Sequence, residues 1–204
     1  MILEYGKPYI HDTALAILLG GSEDRRYSWV KRALQDGRLT RLRRGLYLIE
    51  KHDAPPIDAF EIAQQLYGPS YISFESALSY HGWIPEAVYT TTSACAKRSQ
   101  SVHTSIGMFS FEHTPQDQFF MAVERKETKD GLYLIAHPWK ALADYMYARR
   151  KKWKTFAEVI EDLRLDESKI ETTDKETLEE IAQYYHSPRV RRFANMILRE
   201  NRWI

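Results

Sequence analysis

The sequence contains very little cysteine: Cys95 is the single one among 204 residues. One cysteine excludes an internal disulfide bond and every zinc site that needs several thiolates, and it is typical of a protein kept in a reducing compartment. The sequence also lacks an apolar run near the roughly 18 residues of a membrane span, and residues 1–5 lack the features of a signal peptide. We therefore expect a cytoplasmic protein that has no contact with a membrane.

Spacings typical of a metal centre are missing as well. The seven histidines include no pair four residues apart, which is the spacing that places two ligands on one helix face. Cys95 has no recognisable histidine partner with a third orienting group, so we interpret it as a small core residue. We assign no catalytic residue, no metal and no cofactor.

Charge is balanced over the whole chain but not along it. Lysine and arginine number 29 and aspartate and glutamate 28, yet residues 25–44 hold eight basic side chains against Asp36 alone. Residues 158–180 show the opposite bias, with ten acidic side chains and three basic ones. Such asymmetry predicts separate binding faces.

The first fifty residues are typical of two helices followed by a hairpin. A short apolar helix over residues 11–19, buried on most sides, should end at Gly20, and Ser22 can cap a second helix over residues 23–36 that stops at Gly37. Apolar positions in residues 38–49 then predict two short strands that turn at Gly45. Helix, turn, helix and basic hairpin is the plan of a winged helix.

The rest of the chain predicts a larger mixed domain after a proline-containing linker at residues 51–56. Helices are expected over residues 57–67, 73–80 and 138–149, strands over 88–96, 105–111, 119–124 and 132–135, and helices again after residue 155. The predicted fold class is α+β: an N-terminal winged helix-turn-helix domain, residues 1–52, followed by a larger mixed α/β domain, residues 53–204, with a helical C-terminal tail.

The second helix carries the strongest functional signal. With Val30, Ala33 and Leu34 facing inward, a polar face remains that suits a helix lying in a DNA major groove. The arginine fork can pair with guanine or grip phosphate, and the basic hairpin can lie along the backbone or enter a minor groove. A solvated helix with surface arginines is the alternative. The predicted DNA-binding residues are Arg25, Ser28, Lys31, Arg32, Arg41, Arg43 and Arg44.

Three blocks of the sequence, residues 37–47, 69–82 and 135–145, resemble the AbiEi-type antitoxins of type IV toxin–antitoxin systems. The resemblance implies a winged-helix DNA-binding domain that represses its own operon and a C-terminal domain that counteracts a nucleotidyltransferase-like toxin. Direct contact with that toxin is left open by the resemblance. Trp139 stands where the family pattern has glutamate, while residues 140–144 keep the pattern.

The partners that follow are double-stranded operator DNA, bound by a homodimer or a cooperative pair, and the cognate toxin. Two alternatives remain open. The first is a stand-alone winged-helix repressor. The second is a nuclease in which Asp117 and Glu124 hold Mg²⁺ beside Lys126. The roles of the acidic stretch 158–180 and the basic stretch 189–202 also remain open at this point.

Structural interpretations account for other motif residues. Ser73 can cap the helix that Gly82 ends, and capping boxes are expected at Thr155 and Thr173. Lys140 and Asp144 are four residues apart, so we expect an ion pair on one helix face that contributes little to stability.

Overall fold

The computed structural model describes residues 2, 5–51, 57–115, 117–129 and 131–200. Its first elements are β1 (Tyr9–His11), α1 (Asp12–Leu19), α2 (Glu23–Gln35), β2 (Leu39–Arg43) and β3 (Leu46–Ile49). The three strands form an antiparallel sheet in the order β1-β3-β2. We call residues 9–49 the N-terminal unit.

Local signals fix the ends of these elements as the sequence predicts. The Ser22 hydroxyl accepts a hydrogen bond from the Arg25 amide at 3.4 Å, and Gly37 adopts a φ of +69° after α2. Gly45 has a φ of +77° at the hairpin turn, and a Cβ there would lie 3.0 Å from the Asp12 carboxylate. Because residues with a side chain rarely adopt this conformation, and a Cβ would crowd the Asp12 carboxylate, glycine is strongly favoured at the turn.

The remaining elements form a larger unit, residues 57–199, built on a six-stranded mixed sheet in the order β6-β7-β5-β4-β9-β8. The pairs β4/β9 and β5/β7 are parallel, and the other neighbours are antiparallel. The strands are β4 (Ser70–Ile72), β5 (Thr90–Cys95), β6 (Gln100–Thr104), β7 (Gly107–His113), β8 (Val123–Glu127) and β9 (Leu132–Ala136).

Helices flank this sheet and make up the C-terminal region. They are α3 (Ala59–Leu66), α4 (Phe74–Tyr80), α5 (Pro138–Ala148), α6 (Phe156–Leu163), α7 (Glu167–Glu171), α8 (Glu176–Tyr184) and α9 (Pro188–Arg199). The predicted mixed α+β class with a helical C-terminal region is therefore confirmed. Among the described residues, no helix has both the length and the apolar character needed to cross a membrane.

The N-terminal sheet is a layer shared by two apolar clusters. On one face Ile10, Leu39 and Tyr47 pack with α1 and α2. On the other face Tyr9, Leu42, Leu46 and Leu48 belong to the same cluster as the core of the large unit. All four residues of β3 are buried for this reason. Residues 52–56, which make up most of the predicted linker, lie outside the described part of the chain.

Several predicted elements differ in position from the observed ones. Residues 119–122 form turns, with Ala122 at a φ of +52°, so the strand expected over 119–124 becomes β8 at 123–127. Strands β1, β4 and β6 were not predicted. β1 and β4 have three residues each, too few for an alternating pattern to stand out.

Three predicted details are wrong. Helix α1 is not buried on most sides: Leu15 is its one buried residue, and Ile17 is 84% exposed. The Ser73 hydroxyl does not cap α4 but donates to Asp144, as described below. At α8 the Thr177 amide donates to Asp174, not to Thr173, whereas the cap by Thr155 is confirmed.

Candidate nucleic-acid interface

Helix α2 presents the face that its sequence pattern predicts. Ala33 is fully buried, and Val30 and Leu34 are partly buried against the sheet and α1. The seven predicted contact residues are all exposed: Arg25, Ser28, Lys31, Arg32, Arg41, Arg43 and Arg44.

Ion pairs are scarce in this region among the residues that the structure describes. Among the residues that the structure describes, none of the six cations in the predicted set forms an ion pair. The one ion pair within residues 25–44 joins Arg38, outside the set, to Asp36 at 3.0 Å, and the Arg38 guanidinium also lies 5.3 Å from the Trp29 ring centroid. Uncompensated exposed cations are the feature that attracts a polyanion.

Two arginines of α2 lie along the helix itself. The Arg32 Nε donates to the Ser28 carbonyl at 3.3 Å. The Arg25 side chain covers Gly21 in the turn between the helices, where an added Cβ would come within 3.2 Å of Arg25 Cδ. Both guanidinium groups therefore stay on the exposed side of α2 and its preceding turn.

The hairpin arginines point to different sides of the sheet. Arg41 lies on the side of α1 and α2, with its guanidinium 6.0 Å from the Tyr47 ring centroid. Arg43 instead donates from Nε to the Gln65 carbonyl of α3 at 3.1 Å. A register shift between Arg41 and Arg43 interrupts the pairing of β2 with β3. The predicted phosphate-binding triplet is therefore divided, and Arg43 also fastens the hairpin to the large unit.

Tyr47, a tyrosine with a raised pKa, lies between α1, α2 and the hairpin. Burial raises the pKa of Tyr47, and the Asp12 carboxylate beside it raises this pKa further, while the Arg41 guanidinium acts in the opposite direction. Sequence reasoning did not single out Tyr47 or Asp12. Their proximity depends on the contact of α1 with β3, which no local pattern encodes.

Lys140 and Asp144 form a buried polar network instead of a surface pair. The Asp144 Oδ1 lies 3.1 Å from Lys140 Nζ and accepts from the Tyr185 hydroxyl at 2.9 Å, and its Oδ2 accepts from the Tyr71 and Ser73 hydroxyls at 2.8 Å each. The side chains of Asp144 and Lys140 are 0% and 4% exposed. The predicted ion pair is therefore confirmed, and the structure adds that the pair is buried within a larger network.

This network raises the pKa values of its two tyrosines. Burial and the adjacent Asp144 carboxylate place the pKa values of Tyr71 and Tyr185 well above their usual range. Lys140 Nζ also lies over both rings, 5.7 Å from the Tyr71 centroid and 4.6 Å from that of Tyr185. Each polar group has its partners inside the protein, which indicates that the network holds β4, α5 and the end of α8 together.

The residues of the nuclease alternative lie in two separate pairs. Glu124 is paired with Lys126 on β8, and the hydrogen bond from Lys126 lowers the pKa of Glu124. Asp117 lies 2.8 Å from His186 Nδ1. Within the described ranges, no group of three histidine, cysteine, aspartate or glutamate side chains is arranged to hold a metal ion.

Two histidines lie side by side where β9 meets α4 and α5. The His137 Nδ1 accepts from the Trp139 amide at 3.4 Å, so its Nε2 carries the proton toward Asp174 Oδ2 at 2.9 Å. The His81 Nε2 lies 3.0 Å from the Ala136 carbonyl, and the two rings are 6.5 Å apart. Burial lowers the pKa values of both histidines.

The oppositely charged stretches near the C-terminus do not pair with each other in the part of the chain that is described. Arg189 and Arg191 donate to the carbonyl oxygens of Met146 and Tyr185, each at 3.0 Å. Asp162 binds Lys151 at 2.6 Å. Arg202 lies outside the described residues. Arg189 and Arg191 thus satisfy carbonyl groups at the ends of α5 and α8.

No family model matches the chain, and no curated protein matches it significantly.

Proposed function

We propose that this protein is the DNA-binding antitoxin and transcriptional autorepressor of a type IV toxin–antitoxin system, counteracting a nucleotidyltransferase-like toxin. In this proposal the N-terminal unit is a winged helix-turn-helix in which α2 enters the major groove and the β2–β3 hairpin is the wing. The large unit carries the antitoxin activity.

The order of the elements supports the first half of the proposal. The unit consists of a strand, two helices and a hairpin whose last strand pairs with the first, which is the order expected of a helix-turn-helix with a wing. The turn between the helices has three residues, two of them glycines with positive φ. The observation that carries the proposal is the set of six exposed cations on α2 and the hairpin without an acidic partner among the described residues.

Duplex binding tests this half directly. Fluorescence anisotropy should detect binding to a labelled duplex taken from upstream of the chain's own reading frame and, more weakly, to a random duplex of equal length. Arg32→Ala should reduce the difference in binding free energy between the upstream duplex and the random duplex by about 1–3 kcal/mol, because it removes a base contact. Arg44→Ala should weaken binding to both equally, because it removes a phosphate contact.

A matched control is available at the opposite edge of the large sheet. Arg125→Ala combined with Lys129→Ala removes two positive charges at and just after β8, which forms the sheet edge opposite to β6, the strand that contacts β2 of the N-terminal unit. This variant should bind both duplexes almost as the unmodified protein does. The assignment of the DNA-binding residues fails if Arg32→Ala and Arg44→Ala bind DNA fully. It also fails if the control variant loses as much affinity as they do.

The antitoxin half rests on the three sequence blocks. The full chain, co-expressed with the product of an adjacent nucleotidyltransferase-like reading frame, should restore growth. A DNA-binding-deficient Arg32→Ala/Arg44→Ala variant should restore it equally if antitoxicity belongs to the large unit. If growth is not restored when the toxin is co-expressed, the antitoxin half fails and the protein is better described as a stand-alone repressor.

A further inference from the structure

A cleft of about 560 Å³ opens between α1, α2 and the hairpin of the N-terminal unit. Leu15 and Ala16 of α1, Val30 and Leu34 of α2, and the Tyr47 ring give it an apolar lining. Its volume lies in the range of small-molecule sites, which are mostly apolar with a few convergent polar groups.

The charged groups at this cleft favour an anion. Arg26, Lys31 and Arg41 line it, and neither Lys31 nor Arg41 has an ion-pair partner among the described residues. Of the two acidic lining residues, Asp12 packs against the Gly45 turn and lies beside Tyr47, as Arg41 also does. Glu23 lies in the first turn of α2, eight residues before Lys31. The three lining cations thus outnumber the two lining carboxylates beside an apolar floor.

The mouth of the cleft is open to solvent. Tyr27, which lines it from α2, is 71% exposed. Apolar surface at the cleft therefore faces solvent instead of another described element.

We propose that this cleft is a binding site for a small organic anion that has an aromatic or aliphatic body. The body lies against Val30, Leu34 and Tyr47, and the acidic group lies between Lys31 and Arg41. Lys31 and Arg41 are also predicted DNA contacts, so the bound anion and a DNA phosphate compete for them. This competition, unlike the site itself, rests on the proposed DNA-binding function.

The fluorescent probe 8-anilinonaphthalene-1-sulfonate has the required chemistry, an aromatic body and one sulfonate. Its fluorescence should rise on addition of the full-length protein and titrate to one site. Ala16→Phe, which fills the cleft from α1, should abolish this signal. Ile17→Phe places the same side chain on α1 away from the cleft and should leave the signal unchanged, with circular dichroism confirming that both variants fold.

The role of charge is tested separately. Lys31→Ala and Arg41→Ala should each raise the probe's Kd by up to about fivefold, the value of one exposed ion pair. The neutral analogue N-phenyl-1-naphthylamine should bind more weakly than the sulfonate. Undiminished probe binding by Ala16→Phe, or equal affinity for the neutral analogue, would overturn the proposed site.

Competition with DNA gives the second readout. The sulfonate should displace a labelled duplex from the unmodified protein and from Ile17→Phe, but not from Ala16→Phe. Duplex binding that persists at saturating probe would overturn the competition. If the protein binds no duplex at all while the probe results hold, the proposed DNA-binding function fails and the anion site stands.

Discussion

At the scale of single residues, Asp144 is a fully buried carboxylate whose charge is compensated inside the protein. Its two carboxylate oxygens take four partners, and none of them is water-exposed. A buried ion pair stabilises the folded state little more than well-packed apolar residues would. Loss of one partner, however, leaves the other charge buried without compensation. The network is therefore sensitive to single substitutions.

Asp144→Asn should lower the free energy of unfolding by about 3–5 kcal/mol, because Lys140 would remain charged and buried. Urea denaturation followed by circular dichroism measures this loss. Lys175→Ala is the matched control, since Lys175 and Glu179 have the same spacing but are exposed and 3.8 Å apart. The control should change stability by less than about 0.5 kcal/mol. A cost for Asp144→Asn as small as that of the control would contradict this interpretation.

The adjacent histidines predict a pH dependence of stability. Burial lowers the pKa values of His81 and His137 below the ordinary 6.5, so the unfolded chain binds protons more readily than the folded one. Their contribution to stability is therefore complete above about pH 6.5 and declines as the pH falls below it.

The variant His137→Gln cannot take up this proton and should flatten the decline in unfolding free energy between pH 7 and pH 5. Urea denaturation at several pH values gives the slope. His103→Gln, on the exposed edge strand β6, serves as the surface control. An unchanged slope in His137→Gln would show that the low-pH loss comes from other groups.

At the scale of elements, the β2–β3 hairpin serves two purposes. Its apolar residues on one face join the core of the large unit, and Arg43 binds the end of α3, whereas Arg41 faces the helices and Arg44 lies next to the turn. Arginines close in sequence therefore differ in what they contact.

This difference predicts distinct phenotypes for neighbouring arginines. Arg43→Ala should lower the free energy of unfolding by about 1 kcal/mol, because it removes a charged hydrogen bond to the Gln65 carbonyl. Arg44→Ala should stay within about 0.5 kcal/mol of the unmodified protein. Thermal denaturation compares the two variants. Equal stability would mean that Arg43 does not fasten the hairpin to α3.

At the scale of the whole molecule, the distribution of charge says more about binding than the net charge does. The net charge of +1 predicts no affinity for a polyanion, yet the N-terminal unit concentrates exposed cations while the acidic stretch lies in the large unit. Electrostatic attraction to DNA should therefore be strong when the N-terminal unit faces the duplex and weak when the acidic stretch faces it.

If about four to six phosphates are neutralised, the logarithm of the association constant should fall with the logarithm of the salt concentration at a slope near −4 to −5. Anisotropy titrations between about 50 and 200 mM salt measure this slope. An affinity that is independent of salt would exclude the cationic face as the docking surface.

Much of the secondary structure is predictable from the sequence because its signals are local. The cap at Ser22, the glycines at positions 37 and 45, and Pro138 at the start of α5 delimit their elements as expected. The exposed basic face of α2 follows from the helical period alone. The mixed α+β class and the helical C-terminal region follow from the order of these elements.

Only the tertiary structure decided which side chains meet. Asp144 is 73 residues from Tyr71 and 41 from Tyr185, so its burial depends on packing that no short window of sequence contains. The same holds for the opposite directions of Arg41 and Arg43, set by a register shift, and for the cleft between the two helices and the hairpin. The sequence determines periodicity and turns because those energies are local, whereas contacts between distant segments arise only when the layers pack.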